Sequence, residues 1–296
     1  MKALIITAVI AGGLAFDQHV EFWGQTLTNV ALWVLLLYWL RYARPDEQLA
    51  LSVCVLYATL GEIFLSLVWG LYEYRLANVP LFVPPGHALL FMLGRILAER
   101  ARDWIVWFVP LAATPFILLL AWTGLGTLDA LLFALFLLCL LSGRAGRLYA
   151  VMFVLSLAME IYGTWLGNWT WAEEAPWLGF TTVNPPLAAG AFYCMLDMLV
   201  VATVAGMPAR TRPAALRLAV ATRQVTCDLL LAVGRCLWPS RGFLALASAR
   251  CRAAPSRNRR GREPPPRLSL LPHPSSLIPH PSENVSALFV LRFTAS

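Results

Sequence analysis

One pattern occurs twice and decides the fold: EIFLSLVWGLYEYRLANVPLFVPPGHA at residues 62–88 and EIYGTWLGNWTWAEEAPWLGFTTVNPPLA at residues 160–188. Each copy opens on a carboxylate near the end of an apolar run, Glu62 and Glu160. Each then has a Gly followed by two alternate aromatics: Gly70, Tyr72 and Tyr74, then Gly167, Trp169 and Trp171. A lone proline (Pro80, Pro176) precedes a Pro-Pro pair (Pro84–Pro85, Pro185–Pro186) that opens the next apolar run. Small gaps align the copies, which reads as duplication of a helix–loop–helix unit.

Working outward, the flanking runs read as membrane spans. Hydrophobic residues make up 59% of the 296 and charged residues 13%, about half the share of a soluble domain. Runs at about 3–16, 22–40, 48–70, 82–99, 104–122, 127–143, 148–166 and 183–206 approach the ~20 apolar residues that cross a hydrocarbon core. The first reads as a retained span rather than a signal peptide, because Phe16-Asp17 offers no small-x-small cleavage site. The expected fold is therefore an all-α, polytopic helical bundle of eight spans. It is built from a duplicated four-helix unit, about 1–100 and 104–206.

Charge sets the orientation. Arg41 and Arg44, Arg100 and Arg102, Arg144 and Arg147, and Arg210 and Arg212 fall in alternate loops, with Arg75 the exception. Positive loops stay on the cytoplasmic side. A plasma (inner) membrane protein with both termini cytoplasmic is expected, with both aromatic loops on the outer face.

The net charge of +7 divides unevenly. Residues 207–296 hold 14 Arg against Asp228, Glu263 and Glu283, which is +11, while residues 1–206 come to −4. Residues 207–240 suit a helix lying on the membrane surface. Residues 241–296 are rich in Arg, Pro and Ser, a composition that cannot build a core and predicts disorder. No nucleic-acid partner is expected. The six cysteines show no CxxC or His-Cys spacing, so neither a metal nor another cofactor is expected.

Ionisable residues at membrane depth are costly, about 2.5–3.5 kcal/mol on insertion scales, and each needs a partner or a task. Glu62 and Glu160 read either as neutral interhelical hydrogen-bonders or as a carboxyl pair converging beneath the aromatic loops. Arg95 and Asp197 lie at matching depths in the fourth and eighth spans and are expected to form an ion pair. His87 opens the fourth span as an interfacial hydrogen-bonder or a catalytic group, and Asn184 offers polarity at the start of the eighth. Asp129 reads as a helix cap. Asn168-Trp169-Thr170 matches a glycosylation sequon but lies too close to the bilayer to be credited. Trp69, Tyr72, Tyr74, Trp165, Trp169 and Trp171 are either an interfacial belt or the lining of a substrate pocket.

Glu62, Gly70-Leu71-Tyr72-Glu73-Tyr74 and Val79-Pro80-Leu81-Phe82-Val83-Pro84 resemble the membrane carotenoid hydratases of the bacterioruberin pathway, over roughly 25 residues. The resemblance implies a lipid-phase enzyme that hydrates an isoprenoid alkene. Glu62 and Glu160, with His87, would then serve as acid and base, and the aromatics would hold the cationic intermediate. The competing classes are a carrier for a small hydrophobic or protonatable solute and a non-enzymatic assembly partner in the membrane.

Overall fold

The computed structural model describes residues 1–207. The expected tail lies outside the described residues, as does the expected surface helix beyond Met207. Eight α-helices stand among the described residues, close to the eight apolar runs. They are α1 (Lys2–His19), α2 (Gly24–Tyr42), α3 (Pro45–Glu62), α4 (Val83–Arg100), α5 (Ile105–Thr123), α6 (Thr127–Ser142), α7 (Gly146–Leu166) and α8 (Gly190–Gly206). Pro45 and the Pro84–Pro85 pair stand in the first turns of α3 and α4, where a missing N–H costs nothing.

Three helical stretches are long and apolar enough to cross a membrane: Pro45–Val68, Ile105–Thr123 and Gly146–Leu166. Only 17% of the apolar window of α5 is buried, and Trp107, Leu111 and Trp122 stand exposed on it. So much uncovered apolar surface on one helix marks contact with a membrane or a partner.

The centre is a ring of four helices. α3 packs on α4 and α8, and α7 packs on α8 and α4. α1 and α2 pair on one side, and α5 and α6 on the other. Small residues permit the closest approaches. A Cβ at Gly94 would fall 2.1 Å from Met152 Sδ, and one at Gly190 would fall 2.5 Å from the Phe153 carbonyl oxygen.

The loops depart from the all-α expectation. β1 (Tyr72–Tyr74) pairs antiparallel with β2 (Trp169–Trp171), and β3 (Glu174–Ala175) pairs with β4 (Phe180–Thr181). The reason is the period of two in both loops: alternate residues of a strand share a face. Tyr72 and Tyr74 therefore turn inward with Trp169 and Trp171, while Glu73 and Thr170 turn outward. Gly70 (φ 72°) and Gly167 (φ 83°) lead from helix into strand in the left-handed region, which only glycine enters without steric cost.

Arg75, the exception to the charge pattern, has a structural task. Its guanidinium donates to the Asp17 backbone oxygen at 2.8 Å and lies 3.3 Å from Asp17 Oδ1. Asn168 Nδ2 donates to Asp17 Oδ2 at 3.0 Å and to the Leu14 carbonyl at 3.1 Å. These contacts tie the end of α1 to the β1–β2 ribbon. Asn168 is 2% exposed, and that burial closes the sequon to a glycan.

Candidate functional site

The ribbon acts as a lid over two buried carboxyl groups, one on each side of the helix ring. Glu62 ends α3, and the chain continues as a π-helical stretch, Ile63–Val68, a widening found often at functional sites. The wider turn leads through Gly70 into β1, and both phenols of β1 come back onto Glu62. Tyr72 and Tyr74 hydroxyls each donate to Glu62 Oε2 at 2.7 Å. Burial, reinforced by the Glu62 carboxylate, pushes both phenols well above the ordinary tyrosine range. They remain O–H donors at any physiological pH.

Glu160 repeats the arrangement with different chemistry. Trp169 Nε1 donates to Glu160 Oε2 at 2.8 Å and Trp171 Nε1 at 3.1 Å. Tyr193, from α8, donates to Oε1 at 2.9 Å. Trp169 reaches its carboxylate by lying directly on Gly163, where a Cβ would come within 2.0 Å of the ring.

His87, in the first turns of α4, joins the two halves. Its Nε2 lies 3.5 Å from Glu62 Oε1, and its Nδ1 lies 3.0 Å from the Val83 carbonyl oxygen. Its ring stacks on that of Tyr193, with centroids 4.8 Å apart and planes 3° off parallel.

Glu62, His87, Glu160 and Tyr193 line one cavity of about 110 Å³. Tyr72, Tyr74, Trp169 and Trp171 share its wall, and Leu14, Leu32 and Leu65 are among its apolar lining. Each carboxyl is hydrogen-bonded within its own half of the chain, and both face the same space.

Other expected site residues fall elsewhere. Trp165 is 77% exposed, being five residues past Glu160 on a face that points away from the ring. Trp69 donates to the Pro176 carbonyl at 2.6 Å and stacks on Trp177, so it braces one loop against the other. Asn184 Oδ1 accepts the Trp171 backbone N–H at 3.2 Å, steadying β2 from outside the cavity.

The expected Arg95–Asp197 pair is not formed. Both Asp197 oxygens are buried without a hydrogen-bond partner, whereas the Arg95 guanidinium lies over the Phe91 ring and beside a separate cleft lined by Arg44, Glu47 and Glu99. Matching depth along two helices does not fix the direction in which their side chains point. Asp129 behaves as a cap, but across elements: its Oδ1 accepts the Ala188 N–H at 2.7 Å, just before α8.

Sequence reasoning missed Tyr193. Its only signal is a phenol inside the apolar run of α8, at a position with no aromatic counterpart in the first copy. Among the described residues, no group of His, Cys, Asp and Glu is arranged to hold a metal ion. Comparison with protein families, curated proteins and solved structures finds no match to the chain.

Proposed function

We propose that the chain is an eight-span protein of the plasma (inner) membrane, with both termini cytoplasmic. In this reading it arose by duplication of a four-helix unit, and its cavity adds water across a double bond of an isoprenoid lipid. One observation carries the chemistry: two carboxyl groups from separate helices, each held by side-chain donors, face a single cavity that they share with His87 and that is walled mainly by aromatic and aliphatic groups. Eight helices at the eight apolar runs, with arginines in alternate connections, support the topology. The matched carboxylate–ribbon contacts in the two halves support the duplication.

The residues suit the reaction. Protonation of an alkene requires an acid, and capture of the resulting cation requires a base that removes a proton from water; positioned groups of this kind contribute typically 10²–10⁴-fold each. Faces of Tyr and Trp attract a cation, by about 0.5–2 kcal/mol each. A space of about 110 Å³ suits the end of an isoprenoid chain rather than its whole length. The resemblance of residues 62–85 to carotenoid hydratases points to the same class of substrate.

The test is mass spectrometry of lipid extracts from a host that makes acyclic carotenoids and expresses the full chain. A product heavier by one water, present with wild type and absent with the Glu62→Gln, Glu160→Gln variant, is the expected result. No new species from an inserted, stable protein overturns the assignment and leaves the carrier and assembly readings.

A further inference from the structure

The two carboxyls are chemically unequal, and the inequality follows from which neighbours can accept a hydrogen bond. An indole N–H donates only. With Trp169 and Trp171 both directed at Glu160 Oε2, that oxygen has no use for a proton of its own. Any proton on Glu160 must sit on Oε1, facing the Tyr193 hydroxyl.

The other half is set by a carbonyl. The Val83 oxygen can only accept, so His87 Nδ1, 3.0 Å away, carries its hydrogen. In the neutral ring Nε2 is then the bare nitrogen. That nitrogen stands 3.5 Å from Glu62 Oε1, while the two phenols occupy Oε2. Two acceptors facing each other across this gap are satisfied by one proton between them, either as imidazolium and carboxylate or as imidazole and carboxylic acid. The contact is long for a direct hydrogen bond, and such contacts often tighten when substrate binds.

Resting on the hydration reading, we infer that Glu62 and His87 hold one shared proton and form the acid of the site. Glu160, with Tyr193 as its positioning residue, forms the base. The proton leaves the Glu62–His87 pair and forms a new C–H bond at one alkene carbon, which consumes the π electrons and leaves a carbocation at the other. A water oxygen donates a lone pair to that carbon, and the water's proton passes to Glu160 Oε1. The sum is alkene plus water to alcohol. One proton has moved from the Glu62–His87 pair to Glu160, and its return through cavity water resets the site.

The experiment has two arms. In the first, full-length protein labelled with ¹⁵N-histidine is examined in detergent micelles. The chain has only four histidines, and His87→Gln assigns the signal. The expected result is a protonated Nδ1 together with an Nε2 resonance that shifts on Glu62→Gln. A hydrogen on Nε2 with Nδ1 bare, or an Nε2 signal indifferent to Glu62→Gln, overturns the shared proton.

In the second arm, cells or membranes are supplied with D₂O. Glu160→Gln should lose alcohol formation by about 10²–10⁴-fold while still placing deuterium in the unhydrated alkene. Glu62→Gln should lose both. Equal exchange in the two variants, or exchange surviving only in Glu62→Gln, overturns the division of roles. Wild type that yields neither alcohol nor exchange sinks the hydration reading itself, and the nitrogen spectra still decide the shared proton.

Discussion

Tyr72 and Trp171 face each other across the β1–β2 ribbon with ring centroids 4.9 Å apart, yet they serve different carboxyl groups. Tyr72 donates to Glu62 and Trp171 to Glu160. The ribbon is thus the part through which the two halves of the site are held in register. A shift of one residue in that pairing would put the two tyrosines and the two tryptophans on opposite faces, so one pair of donors would turn outward.

Because two phenols share Glu62 Oε2, their removal should be cooperative. Tyr72→Phe leaves Tyr74 to satisfy the oxygen, and each hydrogen bond to a charged group is worth about 1.5–3 kcal/mol. Removing both strands the oxygen in a buried place. The expected outcome is a double variant that loses more stability than the sum of the two single variants, read from unfolding in detergent. Simple additivity would mean that the phenols do not share the oxygen.

Gly163 tests whether close approach places Trp169. An alanine there puts a methyl 2.0 Å from the indole, so the ring must leave and its bond to Glu160 goes with it. Overpacking of this kind costs about 1–3 kcal/mol. Gly163→Ala should lower the melting temperature and, on the proposed function, the yield of hydrated product. Gly12→Ala is the control. Nothing lies within 4 Å of its added methyl, and replacing a mid-helix glycine by alanine should gain about 0.5–1 kcal/mol. Equal behaviour of the two variants would remove the close approach as the cause.

Much of this arrangement was legible because two periods meet in the repeated stretch. Apolar runs of span length place the helices, and the Gly that follows each run marks where the helix ends. The alternation Tyr72-Glu73-Tyr74 and Trp169-Thr170-Trp171 is a strand pattern. It was masked by the competing preference of aromatic residues for membrane interfaces, which predicts the same residue types without a period. Rotation about the helix axis was not legible. Trp165, Arg95 and Asp197 stand on helices at the expected apolar runs, but direction depends on which neighbours each helix meets. Tyr193 had no echo in the other copy and so gave no signal.

The absence of an Arg95–Asp197 contact makes a sharp prediction. Asp197→Asn forfeits no hydrogen bond, since neither carboxyl oxygen has a partner, and Arg95→Gln acts at a cleft that Asp197 does not line. Effects of sites without shared partners add within about 0.3–0.5 kcal/mol. The two substitutions combined should therefore cost the sum of their separate effects on unfolding. A paired arginine and aspartate would instead show coupling: removing one partner of a buried pair costs about 3–5 kcal/mol, and removing both costs far less.

The proposed topology is checked by labelling. Glu73 is exposed on the ribbon, which the proposal places on the outer face. Arg102 is exposed in the α4–α5 connection, which the proposal places inside. Cys54, Cys139 and Cys194 are buried and should be silent toward a membrane-impermeant maleimide. In intact cells, Glu73→Cys should react with that reagent and Arg102→Cys should not. In inside-out vesicles the pattern should reverse, with any reaction of Cys227, Cys236 and Cys251 measured on wild type and subtracted. Labelling of both positions from one side would leave an even number of membrane crossings between them. Residues 73 and 102 are separated by α4 alone, so that result would remove α4 as a span and overturn the eight-span arrangement.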